Sequence, residues 1–195
     1  MKVLIIGGGG REHALGWKIS QSPQVEKLYF APGNAGTRMV GRNLQIEVKE
    51  IGKLLKFAKE NKIDLTIVGP EAPLKEGIVD EFNKAKLRIF GPSRKAARLE
   101  TDKAWAIKFM QRHNIPHPES IIFNNTKDAF EFVKKPKWKK YVIKASGLAT
   151  SKGVILPGSL KEAKDAIERI FFKKEFDEGK KIIFQERLFG KEVSL

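Results

Sequence analysis

A chain of 195 residues, 41% hydrophobic and 31% charged, carries enough apolar side chain for a buried core and is long enough for one domain or two small ones. It contains no cysteine, which excludes disulfides, thiolate zinc sites and thiol nucleophiles and fits a reducing compartment. Its net charge of +15 admits nucleic acid, anionic lipid or small phosphorylated ligands, yet the lysines are spread over every helix, densest at 134–140 and 173–181, with no arginine–aromatic stripe among them.

The first residues, Met1 and Lys2 followed by Val3, Leu4, Ile5 and Ile6, mimic a signal peptide. The apolar run is too short, however, and it ends in glycines without a small-residue cleavage site. No apolar stretch elsewhere approaches the roughly 18 residues of a membrane span, so a cytoplasmic protein without a membrane partner is expected. The same run reads as a strand ending in Gly7, Gly8, Gly9 and Gly10, with a helix over 12–20 after it. Glycines let the backbone turn and approach a ligand, and a helix start presents free N–H groups, so this is a phosphate-binding turn at the end of a first parallel strand.

A second strand at 28–30 runs into another glycine-rich loop at 31–37. Ile51, Leu54, Leu55 and Ala58 fall on one helical face, and 64–68 reads as a buried strand ended by Gly69 and Pro70. Leu74, Ile78, Phe82 and Ala85 mark a further helix, and 87–90 a strand ended by Gly91 and Pro92. The repeated strand, loop and helix predict a doubly wound parallel sheet that binds ligands at the carboxyl ends of its strands.

Past residue 100 the rhythm changes. Thr101 is expected to cap a helix running to Asn114, and 120–123 to form a strand. Thr126 should cap a helix carrying Phe130 and Val133. Strands at 141–145 and 153–156 enclose a polar loop, as in a hairpin with a long tip. Ser159 and Glu162 spell a capping box ahead of the stripe Ala163, Ala166, Ile167 and Ile170, and 181–186 is a last strand. Residues 192–195 alternate like an edge strand and stop, as though the protein were interrupted. The expected organisation is an amino-terminal α/β domain at 1–100, a linker helix at 101–118 and a small α+β unit at 119–195.

A dinucleotide site requires G-x-G-x-x-G and an acidic residue closing the second strand. Glu12 or His13 stands where the third glycine belongs, and Ala31, Pro32 and Gly33 close the strand, so nicotinamide binding is disfavoured. The loop from Gly147 to Gly153 through Lys152 looks like a P-loop but has the wrong order, G-x-x-x-x-K-G. It is either a lysine-bearing loop over phosphates or a solvated hairpin tip. Lys144, inside a strand beside this loop, suits a phosphate counter-charge. His13, next to Arg11, suits a polar ligand contact or structural packing alike; His113 and His117 read as surface residues. The sequence shows no His or carboxylate cluster with metal-ligand spacing.

In order and spacing, five segments resemble glycinamide ribonucleotide synthetase, the phosphoribosylamine–glycine ligase family of the ATP-grasp superfamily: 7–15, 31–37, 69–74, 91–103 and 142–153. The resemblance spans essentially the whole chain. It implies a Rossmann-like pre-ATP-grasp α/β domain, then an ATP-grasp lid subdomain incomplete at its carboxyl end. The family joins glycine to 5-phosphoribosylamine with ATP, through glycyl phosphate, in purine synthesis. Carried onto this sequence, Gly8, Gly9, Gly10, Arg11, Glu12 and His13 with Gly33, Asn34, Gly36, Thr37 and Glu71 would line the phosphoribosylamine site. Lys103, Lys144, Gly147, Lys152 and Gly153 would attend the ATP phosphates. Gln185, Glu186 and Leu188 would meet the adenine, and Glu192 the ribose.

Three positions depart from the family pattern: Ser146 replaces a usual Asp, Ser151 a usual Gly and Gln185 a usual Glu, whose acceptor role an amide oxygen keeps. The resemblance also implies that the family continues for about as many residues again, with the Mg2+ ligands there, so this chain alone is expected to be inactive as a ligase. A basic nucleic-acid-binding module is the alternative class, expected to hold oligonucleotides with steep salt dependence.

Overall fold

A strand that is apolar at both parities must be covered on both faces, and β1 (Lys2–Gly7) is built that way. Leu4 and Ile6 join Leu54, Ala58, Ile78 and Phe82 in one cluster, while Val3 and Ile5 join Leu28, Phe30 and Ile19 in another. The first cluster seats α2 (Ile51–Glu60) and α4 (Ile78–Lys84), and the second seats α1 (Gly10–Ser20). The computed structural model describes residues 1–147, 153–172, 181–191 and 193, and the chain divides into two units, Met1–Arg98 and Leu99–Leu195.

In the first unit β1 is the centre of an all-parallel sheet of five strands. The others are β2 (Lys27–Pro32), β3 (Arg42–Asn43), β4 (Leu65–Val68) and β5 (Ile89–Phe90), in the order β3-β2-β1-β4-β5. The chain winds outward from β1 to β3 and then returns to the other side at β4. The carboxyl ends of β1 and β4 therefore flank a topological switch point, where sheets of this kind leave a crevice. The fold is the expected doubly wound α/β sheet.

The second unit holds an antiparallel sheet, ordered β6-β9-β7-β8 from β6 (Ser120–Phe123), β7 (Tyr141–Ala145), β8 (Val154–Ile155) and β9 (Ile182–Glu186). One face carries Ile143, Ile182 and Phe184 against α7 (Thr126–Val133) and α8 (Leu160–Phe171), which contribute Val133, Ala166, Ile167 and Ile170. On the other face Ile122 and Ile183 pack with Ala104 and Ile107 of α6 (Lys103–Arg112). The expected hairpin is the β7–β8 pair, and Ser159 caps α8 through the N–H of Glu162, as the capping box predicts.

Three local features differ from the sequence expectation. The helix placed across 74–85 is two, α3 (Glu71–Lys75) and α4, because Gly77 between them is left-handed at φ 88° and a continuous helix cannot pass through it. Thr101 caps nothing: it ends α5 (Arg94–Thr101), and the side chain of Asp102 accepts from Trp105 N–H to start α6. Asn125, one residue ahead of Thr126, likewise caps α7. The segment set apart as a linker helix supplies α6, whose packing on Ile183 makes it part of the second unit.

Helix α1 lies so close to β2 that Phe30, fully buried, occupies the place of a side chain at 16. A Cβ on Gly16 would lie 2.2 Å from Phe30 Cζ. Helix propensity alone would make Gly16→Ala stabilising by about 1 kcal/mol. The overpacking predicts the opposite sign, a loss of roughly 1–3 kcal/mol in urea unfolding; a neutral or stabilised variant would show that the helix can lift off the strand freely.

Candidate functional site

At the tip of β1 the four glycines have different neighbours. A Cβ on Gly7 would lie 2.6 Å from Glu12 Cγ, one on Gly9 2.9 Å from Glu12 Oε2 and one on Gly69, at the end of β4, 2.0 Å from Glu12 Oε1. Glu12 is buried, and its carboxylate accepts from Gly9 N–H at 2.6 Å. Gly8 makes room instead for the carbonyl of Gly33, and a Cβ on Gly10 would meet nothing within 4 Å. The first-turn N–H groups of α1 lack intrahelical acceptors by construction, and Gly10 and Arg11, in that turn, are among the residues lining a cleft.

The second glycine loop is tied to the first. Gly33 N–H donates to the Gly7 carbonyl, and the Asn34 amide donates to the carbonyls of Gly8 and Gly9 at 3.0 and 3.2 Å. The His13 ring covers Gly36, where a Cβ would lie 2.6 Å from it. Thr37 is fully buried and exchanges hydrogen bonds with Asn34 and Asn43, so its role is to shape the loop. Gly7 to Glu12, Pro70 and Glu71 line a cleft of ≈ 440 Å³. A neighbouring cleft of ≈ 930 Å³ is lined by Gly33, Asn34, Arg38, Arg42 and Asn43.

Arg11 donates to the Gly69 carbonyl at 2.7 Å and to Glu71 at 3.1 Å, joining the tips of β1 and β4. The Glu71 carboxyl is held below its ordinary value by its own backbone N–H and then by the Arg11 guanidinium, burial opposing both. It is ionised at neutral pH. This cleft can therefore take a phosphate on its backbone donors and hydroxyl or amine hydrogens on Glu71.

In the second unit Lys144 of β7 and Gln185 of β9 share a face, and the amine donates to the Gln185 side-chain oxygen at 2.6 Å. The Gln185 amide donates on to Ser120. Lys103, the first residue of α6, donates to the Gly147 carbonyl at 3.2 Å. Burial, and secondarily the charge of Lys103, pushes the Lys144 amine below the ordinary lysine value. Two cations are thus held close together on neutral oxygens, an arrangement complementary to a polyphosphate.

Of the expected ATP residues, Lys103, Lys144, Gly147 and Gln185 come together here. Glu186 lies within 4.0 Å of Lys140 and Leu188 is exposed. Gly153 accepts from Ala145 N–H at the return of the hairpin. Lys152, Ser151 and Glu192 lie outside the described residues. Sequence reasoning missed Asp102, Arg38, Arg42 and Asn43. Only Asp102 had a legible signal, as a good N-cap residue directly before α6.

The family described as phosphoribosylglycinamide synthetase matches the chain throughout, its N domain over residues 1–100 and its ATP-grasp (A) domain over residues 101–195. The chain belongs to the phosphoribosylglycinamide synthetase family. Phosphoribosylamine–glycine ligase of Caldanaerobacter subterraneus subsp. tengcongensis is 49% identical over 100% of this chain, which covers 47% of that protein. The Escherichia coli K12 ligase is also 49% identical, with 46% of its length covered. The crystal structure of the Thermotoga maritima ligase matches with a TM-score of 0.75 at 30% identity, over 98% of this chain and 45% of that one. N5-carboxyaminoimidazole ribonucleotide synthetase from Thermus thermophilus, 21% identical with a TM-score of 0.67 over 95% of this chain and 47% of that one, shares the fold. The chain spans about half the length of the curated relatives it matches.

Lys144 gives this chain's second unit a measurable signature. Its amine binds a proton less tightly in the folded than in the unfolded chain, which costs stability below the folded pKa, and the cost fades as pH rises toward 10.5. Lys144→Met is expected to be at least as stable as wild type at pH 7, with the difference shrinking as pH approaches 10.5. Urea denaturation at both pH values reads this; a variant clearly less stable at pH 7 would contradict it.

Proposed function

We propose that this chain carries the sugar-phosphate site and one side of the nucleotide site of an ATP-dependent ligase. The ligase joins glycine to 5-phosphoribosylamine and releases ADP and phosphate, a step of purine synthesis. In this reading ATP phosphorylates the glycine carboxylate, and the amine of phosphoribosylamine attacks the resulting acyl phosphate to form the amide. The Gly8, Gly10 and Arg11 donors and Glu71 hold the sugar phosphate, while Lys103 and Lys144 neutralise charge on the transferring phosphoryl group. Gln185 accepts from the adenine amino group beside the backbone of Glu186 and Leu188. These assignments rest on matching family positions and on the clustering described above.

The observation that carries the reading is the Lys144 amine, kept half-buried beside a second cation. A polar strand face of this kind is unfavourable by itself and becomes favourable when a polyanion arrives. Mg2+ would supply further charge to the phosphates. Among the described residues no three His, Asp or Glu side chains gather closely enough to hold a metal. From the family resemblance we propose that its ligands lie in the further length that the relatives have, and that this chain binds ligands without completing the ligase reaction.

Calorimetric titration tests both sites. Ribose 5-phosphate is expected to bind, and Arg11→Ala to weaken it by about tenfold. Thermal stability should hardly change, because the Arg11–Glu71 pair is exposed and such pairs add little. Lys103→Met should weaken ATP by about tenfold or more while leaving the sugar phosphate untouched. An Arg11→Ala variant that binds ribose 5-phosphate as tightly as wild type would remove the first assignment.

A further inference from the structure

Residues 145–147 leave β7, and α6 begins at Lys103; the two meet through side chains that no expected ligand role uses. Ser146 Oγ accepts from Ala104 N–H at 3.1 Å and donates to Asp102 Oδ1 at 3.2 Å. The same Asp102 oxygen accepts from Trp105 N–H at 3.0 Å, capping α6. Backbone bonds fix the other side, where Ser146 N–H donates to Lys181 O and Ala145 N–H to Gly153 O. Lys103 sits inside this ring of contacts, its amine on the Gly147 carbonyl. The ring thus joins the strand that carries Lys144 to the helix start that carries Lys103.

We propose that Asp102 and Ser146 form a latch that positions Lys103 beside Lys144 for the phosphates of a nucleoside triphosphate. The latch needs one carboxylate and one hydroxyl. Placing a carboxylate at 146 opposite Asp102 would set two anions against each other and take away the hydroxyl that bridges them. Exchanging the two groups keeps the three bonds of the latch: a hydroxyl at 102 still accepts from Trp105 N–H and donates to the carboxylate at 146, which still accepts from Ala104 N–H. Ser146, a departure from the family pattern, thereby acquires a reason in Asp102. The two residues act through Lys103 and are positioning residues. The inference rests on the nucleotide reading for its purpose and on the geometry alone for the latch.

Two measurements on the 195-residue protein separate these. In titrations with ATP and Mg2+, Ser146→Ala, Asp102→Ala and Ser146→Asp are each expected to weaken binding roughly five- to tenfold. The double exchange D102S/S146D should return to within about twofold of wild type, a rescue that general loss of stability would not give. A double exchange as weak as the sum of its parts, or single variants equal to wild type, overturns the latch. Absence of ATP binding by wild type would strike at the nucleotide reading. Crystal structures of ligand-free wild type and Ser146→Ala then decide the latch. The Lys103 amine should sit on the Gly147 carbonyl in the first and leave it in the second; an unmoved amine refutes the proposal.

Discussion

The carboxylate of Glu12 is folded back into the turn that precedes its own helix, and the tips of β1 and β4 close around it. Gly7, Gly9 and Gly69 lack side chains because Glu12 fills the space those side chains would take. Burial of a carboxyl group needs a hydrogen-bond donor, and Gly9 N–H supplies it. The cost of ordering a glycine-rich turn is offset locally by the Glu12 carboxylate. Glu12 therefore determines which donors remain. One N–H is consumed inside the turn, and the residues at the start of α1 line the cleft together with Glu71.

A comparable logic operates in the second unit, with the sheet face as the scaffold. Ile122 and Ile183 are covered by α6, while Ser120, Gln185 and Lys144 form a polar chain on the same face. Apolar packing fixes where α6 lies, and its first residue is then necessarily close to the polar stretch. Two like charges are brought together by packing that neither charge opposes strongly enough to undo. Such local cost, retained by a stable core, is the usual state of a site prepared for an anionic ligand.

Much of this was legible in the residues. Strand and helix alternation up to Phe90 follows from apolar periodicity, and the glycine tips announce where the sheet opens. Lys144 stands out because a lysine between Ile143 and Ala145 must either snorkel or serve a site. Less legible was anything decided by contact across the fold. The position of Glu12 beside Arg11 gives no hint that Gly69, distant in sequence, has vacated a place for its carboxylate. Thr37 and His13 are similar cases, the first buried among asparagine side chains and the second laid over Gly36. Gly77 divides a helix whose apolar spacing runs on unbroken, and Asp102 in place of Thr101 starts α6, because backbone conformation and cap geometry override periodicity where a single residue decides them.

The central claim is that two different sets of backbone and side-chain donors in this chain meet two different phosphate-bearing ligands. Amide resonances of isotope-labelled protein, followed while ribose 5-phosphate and ATP are added in separate titrations, test it most directly. Ribose 5-phosphate should shift Gly8, Gly9, Gly10, Arg11 and Asn34 and leave Lys144 and Gln185 in place, and ATP should do the reverse. If both ligands moved the same resonances, or if neither moved either set, the account would be contradicted.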